Sequence, residues 1–149
     1  MPEALSEEVH SKITALCASA DKYAEENSFE LAMECCQQAW ELLPLPKHDW
    51  DASTWILSAI GDCWFRKGDF EKALQIFTES LKCPKALGNP FIHLRLGESH
   101  FELGNKKLAA DELTRAYMGA GKEIFADESP KYMELLRQVL ELPPGQTEL

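Results

Sequence analysis

The hydrophobic and polar positions follow a helical period along nearly the whole chain. No segment alternates between apolar and polar residues over the length of a strand. The chain also has no Asn-Gly or Asp-Gly pair of the kind that closes a β-hairpin. The pattern therefore predicts an all-α protein of seven helices, each about 12–20 residues long.

Helix-start signals stand directly before the amphipathic runs. A short polar side chain at this place accepts a hydrogen bond from the first turn, and a proline is tolerated just after it. The predicted starts are Ser6, Ser28, Ser53, Asp69, Asn89, Asn105 and Ser129, with a proline following Asn89 and Ser129.

The helices repeat along the chain. Five positions recur 36 residues later: Gly61, Gly68, Ala73, Phe77 and Leu81 return as Gly97, Gly104, Ala109, Leu113 and Tyr117. A weaker copy lies 41 residues earlier, at Ala20, Ala32, Cys36 and Trp40. Small residues at matching points of a fixed period predict helix pairs that pack closely together.

The repeated residues resemble the pattern of the tetratricopeptide repeat (TPR) family. The middle copy carries it in Leu57, Ile60-Gly61, Trp64, Gly68, Ala73, Phe77 and Pro84. The third copy carries it in Leu96-Gly97, Gly104, Ala109, Leu113 and Ala116, and the first in Tyr23, Ala32, Ala39 and Pro44. The resemblance implies one domain over residues 1–149, a right-handed superhelical stack of three helix pairs. The repeats would span about 13–46, 54–87 and 90–123, followed by a capping helix over about 129–142.

Charge narrows the classes of partner. The chain has 25 acidic against 15 basic residues, a net charge of -10, and its first 50 residues hold 10 acids and 3 bases. This balance argues against nucleic acid and acidic membranes and favours a basic protein partner.

The apolar runs are too short to span a bilayer, and the acidic start does not resemble a signal peptide. Five cysteines without framework spacing indicate reduced thiols, so we expect a cytoplasmic protein.

The chain contains no arrangement of residues typical of catalysis. His93 and His100 are seven residues apart, too far along a helix for one zinc ion, and we expect them to pack in the core. Adjacent Cys35 and Cys36 point in different directions, and Gly119-Ala120-Gly121 lacks the rest of a phosphate-binding loop. We therefore expect a protein that is not an enzyme and has no catalytic residue, cofactor or metal site.

The resemblance also implies a binding face, because the first helix of each TPR lines the concave side, where family members hold peptides or a partner's helix. Acids and aromatic residues alternate there, as in many binding hot spots. The expected partner-binding residues are Asp21, Glu25, Trp55, Asp62, Phe65, Arg66, Phe91, Glu98, Phe101 and Glu102. Packing of the aromatic members between neighbouring helices is the alternative.

The same positions bear on the kind of partner. TPR co-chaperones hold the acidic tail of heat-shock chaperones with a clamp of lysine, arginine and asparagine. The corresponding places here carry Cys17, Asp21, Ala59, Phe91 and Arg95, which argues against that role.

The chain is similar to small bacterial TPR proteins that act as immunity proteins, so we expect it to occlude a basic toxin domain. The alternatives are a translocator-class secretion chaperone, whose partner is a secreted client, and a generic TPR adaptor. The oligomeric state stays open.

Overall fold

A computed structural model describes residues 4–140, and within that range every regular element is helical, with seven α-helices and two short 3-10 turns. The predicted all-α class is therefore confirmed. The chain forms two compact units, Met1–Leu87 and Gly88–Leu149. The single domain over 1–149 stays a prediction, and the last two residues expected for the capping helix lie outside the described range.

Unit 1 contains two helix pairs: α1 (Glu7–Glu25) with α2 (Phe29–Glu41), and α3 (Asp51–Arg66) with α4 (Phe70–Ser80). Helix α3 also packs against both α1 and α2. A 3-10 turn, Lys47–Asp49, leads into α3. The shared core consists of small and branched side chains: Ile13, Ala20, Ala32, Cys36, Ala39, Leu43, Ala52, Ile56 and Cys63.

Unit 2 contains the third pair, α5 (Pro90–Glu102) with α6 (Lys106–Ala120), and the terminal helix α7 (Pro130–Val139) packed against α6. A second 3-10 turn, Lys122–Phe125, joins α6 to α7. The apolar face of α7 contributes to a core made of Leu94, Ala109, Leu113, Ala116, Phe125, Tyr132, Leu135 and Leu136. The terminal helix thus covers apolar surface of the last pair, as expected of a capping helix.

Most of the predicted helix starts are confirmed. A side-chain oxygen accepts a hydrogen bond from the first turn at four of them: Ser6, Asp69, Asn89 and Asn105. The prediction at Ser53 is wrong, because α3 begins two residues earlier, at Asp51. Ser53 is buried, and its hydroxyl donates to the carbonyl oxygen of Lys47 in the preceding turn.

Close approach within the second and third helix pairs depends on a glycine in each. A Cβ atom built on Gly61 lies 2.8 Å from the ring of Phe77, and one on Gly97 lies 2.7 Å from Cγ of Leu113. Phe77 and Leu113 are completely buried. Because real Cβ atoms do not approach other atoms this closely, the glycines let the large side chain of the second helix touch the backbone of the first.

Two polar side chains, the half-buried Lys47 and the buried His93, form hydrogen bonds that fix local backbone structure. The Lys47 ammonium donates to the carbonyl oxygens of Trp40 (3.0 Å), Glu41 (3.3 Å) and Leu43 (2.7 Å), which satisfies acceptors at the end of α2. His93 is 2 % exposed. Its Nε2 accepts from the backbone N–H of Gly88 at 2.8 Å, so Nδ1 donates to Glu112 at 2.6 Å. The core role expected of His93 is confirmed.

We expect Gly97→Ala to lower the free energy of unfolding by about 1–3 kcal/mol, because the added methyl group overlaps Leu113. Urea unfolding followed by circular dichroism measures the change. Leu113→Ala should cost less in the Gly97→Ala background than in the parent, since it removes the overlap. The control is Ser19→Ala on an exposed position of α1. A Gly97→Ala protein as stable as the parent contradicts the close-packing account.

Lys47→Met should destabilise unit 1 by about 1–3 kcal/mol, because three carbonyl oxygens lose a charged donor. The measurement is urea unfolding followed by tryptophan fluorescence, since all four tryptophans lie in unit 1. Lys82→Met, which removes only an exposed ion pair with Glu79, is the matched control and should cost less than about 0.5 kcal/mol. Equal losses in the two variants rule out the proposed role of Lys47.

Candidate functional site

The predicted binding face of unit 1 lies on α1 and α3, two helices in contact with each other. Asp21 and Glu25 are exposed on α1. Trp55 is 51 % exposed on the first turns of α3, an unusual degree of exposure for so large an apolar side chain. These three side chains present two carboxylates and one indole to the surroundings of unit 1.

Two other predicted residues of unit 1, Phe65 and Arg66, contact side chains of the same unit. Phe65 is half-buried, with its ring edge-on to Phe70 at a centroid distance of 5.3 Å. The Arg66 guanidinium lies 4.8 Å from the ring centroid of Phe29, and it donates to the side-chain oxygen of Asn27 at 3.1 Å. Arg66 thereby connects the end of α3 to the α1–α2 turn while staying exposed.

Asp62 is half-buried at the centre of α3, one helical turn before Arg66. It lies close enough to Cys63 to contribute, after burial itself, to raising the pKa of that thiol to about 11. Unit 1 therefore carries three of the predicted acids and one predicted cation on the α1–α3 face, with Trp55 as the exposed aromatic residue.

In unit 2 the expectation that Glu98 faces a partner is wrong, because its side chain is completely buried. Its Oε1 accepts from Nη1 of Arg95 at 2.7 Å, and the same nitrogen contacts Glu128, which lies two residues before α7. First burial and then the contact with Glu128 raise the pKa of Glu98 to about 9. Glu98 is a group of the protein interior.

The remaining predicted residues of unit 2 contact their own chain as well. The ring of Phe101 is edge-on to Tyr132 of α7 at 5.3 Å between centroids. Glu102 accepts from the hydroxyl of Tyr132 at 2.8 Å and forms an ion pair with Lys131. The packing alternative thus holds for Phe101, which meets a ring of α7.

Phe91 is half-buried at the start of α5, where the guanidinium of Arg95 lies 5.0 Å from its ring centroid. Arg95 therefore contacts a predicted aromatic residue and a predicted acid of the same helix. The expectations did not include Arg95, Glu128, Lys131 or Tyr132 among the residues that organise this surface. A local signal was present for the first of them, because Arg95 and Glu98 have the i, i+3 spacing of a helical ion pair within an apolar run.

Two adjoining clefts, of about 480 and 310 Å³, open beside α1 and the start of α3. Leu5 and Trp50 line both, and Trp55 lines the smaller one. The indole N–H of Trp50 donates to the carbonyl oxygen of Pro44 at 2.8 Å, and this hydrogen bond orients the ring that lines both clefts. Leu45, at the edge of the larger cleft, is 83 % exposed. Apolar surface therefore continues from Trp55 around this end of unit 1.

Metal-ligating and nucleophilic side chains are the groups to compare with the expected absence of catalytic chemistry. Over residues 4–140, no three histidine, cysteine, aspartate or glutamate side chains group as a metal site, and no helix in that range is long and apolar enough to cross a membrane. Burial raises the pKa of Cys36 to about 12 and that of Cys83 to about 11. Both thiols are therefore protonated and poor nucleophiles near neutral pH.

Comparison with protein-family models finds no match, and no curated protein matches the chain. Solved structures do match it. The type III secretion chaperone SycD of Yersinia enterocolitica, in complex with a peptide of the translocator YopD, has a TM-score of 0.67 at 17% identity, over 86% of this chain and 92% of that chain.

Two further structures are similar. The chaperone PcrH, known from Pseudomonas aeruginosa, in complex with the chaperone-binding region of PopB, has a TM-score of 0.63 at 19% identity, over 92% of this chain and 96% of that chain. The first TPR domain of Spaghetti (RPAP3), bound to the HSP90 peptide SRMEEVD, has a TM-score of 0.66 at 15% identity, over 86% and 90% of the two chains. The chain therefore has the fold of tetratricopeptide repeat domains.

Proposed function

We propose that this protein is a non-catalytic protein-binding module, which binds a basic segment of another protein through the α1–α3 face of unit 1. The observation that carries the proposal is the exposure of Asp21, Glu25 and Trp55 on two helices in contact. An exposed indole supplies a large apolar contact area, and exposed carboxylates of the same unit orient a basic partner and raise its association rate.

Similar structures support a protein-binding role. SycD, PcrH and the RPAP3 domain are each described in complex with a peptide or a region of another protein. These proteins bind different segments, so the shared fold supports binding without specifying the partner. The chemical character of the partner therefore has to be inferred from the exposed side chains of this chain.

Those side chains disfavour an acidic segment such as the MEEVD end of the HSP90 peptide. At the five places of the heat-shock clamp, this chain carries only one cation, Arg95. The guanidinium of Arg95 already contacts two carboxyl groups, Glu98 and Glu128. Asp21, which is exposed at another of these places, would repel an acidic peptide.

As the specific role we propose an immunity protein that covers the active face of a toxin domain. Toxic nucleases need basic surfaces to hold nucleic acid, and the exposed acids of unit 1 complement such a surface. Covering that surface is sufficient for inhibition, so the protein needs no catalytic group of its own.

A translocator-class secretion chaperone is the second candidate, supported by the extent of the match to SycD and PcrH, 92% and 96% of those chains. Its partner would be an extended client segment rather than a folded domain. The continuous apolar surface from Trp55 to Leu45 suits the apolar side chains of such a segment.

We expect Trp55→Ala to weaken the complex about 30-fold, because an exposed indole at the centre of an interface contributes at least about 2 kcal/mol. The partner is first captured from a lysate of the source cells and then purified, and its affinity is measured by calorimetry. Leu31→Ala, which removes a side chain 47 % exposed on α2, is the control and should bind like the parent. A Trp55→Ala protein that binds normally while Leu31→Ala does not would place the interface elsewhere.

Reversing two charges tests the basic character of the partner. Asp21→Lys with Glu25→Lys should weaken binding at least about tenfold and reduce its dependence on salt, because attraction between exposed charges is screened. Glu34→Lys with Glu41→Lys makes the same change in net charge on exposed positions of α2. Equal losses in the two double variants indicate only a net-charge effect, and an affinity independent of salt contradicts a basic partner.

Co-expression separates the two specific roles. For an immunity protein, the captured partner should stop growth when expressed alone, and the chain should restore growth and abolish the partner's enzymatic activity. For a secretion chaperone, the partner should aggregate or be degraded when alone and become soluble with the chain. The Asp21→Lys, Glu25→Lys double variant should fail in whichever assay the parent passes. If the chain changes neither the toxicity nor the solubility of the partner, both specific roles are contradicted and only the general protein-binding function remains.

A further inference from the structure

Glu98 is an unusual group for the interior of unit 2. Its side chain is completely buried, and its Oε2 atom has no hydrogen-bond partner among residues 4–140. Its other oxygen accepts from Arg95, whose Nη1 atom also contacts Glu128 of the segment before α7. One nitrogen of one guanidinium therefore serves two carboxyl groups that come from different parts of the chain.

The groups around Glu98 carry more negative than positive charge. Helix α5 contributes Arg95 and Glu102, the segment before α7 contributes Glu128, and α7 contributes Lys131 and Tyr132. If all three carboxyl groups were ionised, they would face two cations. Carboxylates held close together with too few cations do not all stay ionised, and a buried one takes up a proton most readily.

We propose that the contact between α5 and the terminal segment is a proton-dependent latch, which is closed while Glu98 is a carboxylic acid and loosens when Glu98 ionises. A neutral Glu98 can stay buried beside Glu128. An ionised Glu98 would place an incompletely paired charge in the interior next to a second carboxylate, and separating α7 from α5 lets water reach both.

The direction of the pH dependence follows from the closed state. Burial, and then the contact with Glu128, raises the pKa of Glu98 from 4.5 to about 9 in the closed form. The closed form therefore holds one more proton than the open form between these two values. The stabilisation from this proton is fully present below pH 4.5 and is lost as the pH rises toward 9. Over that window the equilibrium constant for opening should rise about tenfold per pH unit.

Opening would uncover side chains that the terminal segment now contacts. Phe101 packs on Tyr132, and Glu102 is held by Tyr132 and Lys131. The latch therefore controls access to one aromatic and one acidic side chain at the end of α5. This inference does not rest on the proposed function, because all of its contacts lie within unit 2.

The direct test is the titration of the Glu98 carboxyl carbon by carbon-13 NMR in the wild-type protein, with the signals assigned through the backbone. We expect a midpoint above pH 7, well above the ordinary range of glutamate. A Glu98 midpoint below pH 6 overturns the proposal, and this readout requires no variant.

Opening itself is measured by amide hydrogen exchange in α7, after correction for the intrinsic effect of pH on exchange. Protection of α7 should fall about tenfold per pH unit between pH 6 and 8, while α2 in unit 1 serves as the internal reference and changes much less. Glu98→Gln, which imitates the neutral acid, should remove most of this slope, and Glu134→Gln should leave it unchanged. A slope that persists in Glu98→Gln overturns the latch. If that variant does not fold, the carboxyl titration of the wild-type protein decides.

Discussion

The structure depends on the close approach of the two helices in each repeated pair. Phe77 touches the backbone of α3 at Gly61, and Leu113 touches that of α5 at Gly97. This contact sets the rotation of the first helix about its own axis, since one side of it has to face the second helix at van der Waals distance. With the rotation set, the helical period determines which side chains point away from the pair. The surfaces of α3 and α5 are therefore each a consequence of packing at one glycine.

The same register produces different surroundings in the two units. Asp62, Phe65 and Arg66 of α3 correspond to Glu98, Phe101 and Glu102 of α5. Arg66 stays exposed, whereas Glu98 is buried, and Phe101 and Glu102 contact the terminal helix. A repeat register predicts where a side chain is placed on its helix. It does not predict what covers that place, because the covering segment is absent from the repeat pattern.

This distinction explains how much the amino-acid sequence could predict. The spacing of nearby residues in the sequence is enough to predict the helices, four side-chain caps and the two glycine contacts. The start of α3 was not, because Ser53 looks like a cap until its hydroxyl is seen to donate to the carbonyl of Lys47. The burial of Glu98 was missed for a similar reason. Its environment depends on Glu128, 30 residues further along the chain, and only the tertiary structure brings the two together.

The net charge of -10 therefore divides into two kinds of acid. In unit 2, Glu102 and Glu112 have partners within the protein, and attraction between such close, partly buried charges is little affected by salt. In unit 1, Asp21 and Glu25 are exposed, so their field extends into solution and is available to an approaching molecule. An acidic composition alone does not indicate which carboxylates can act on a partner. Their burial does, and it leaves Asp21 and Glu25 of the first helix pair able to act at long range, in the same unit as the exposed Trp55 of α3.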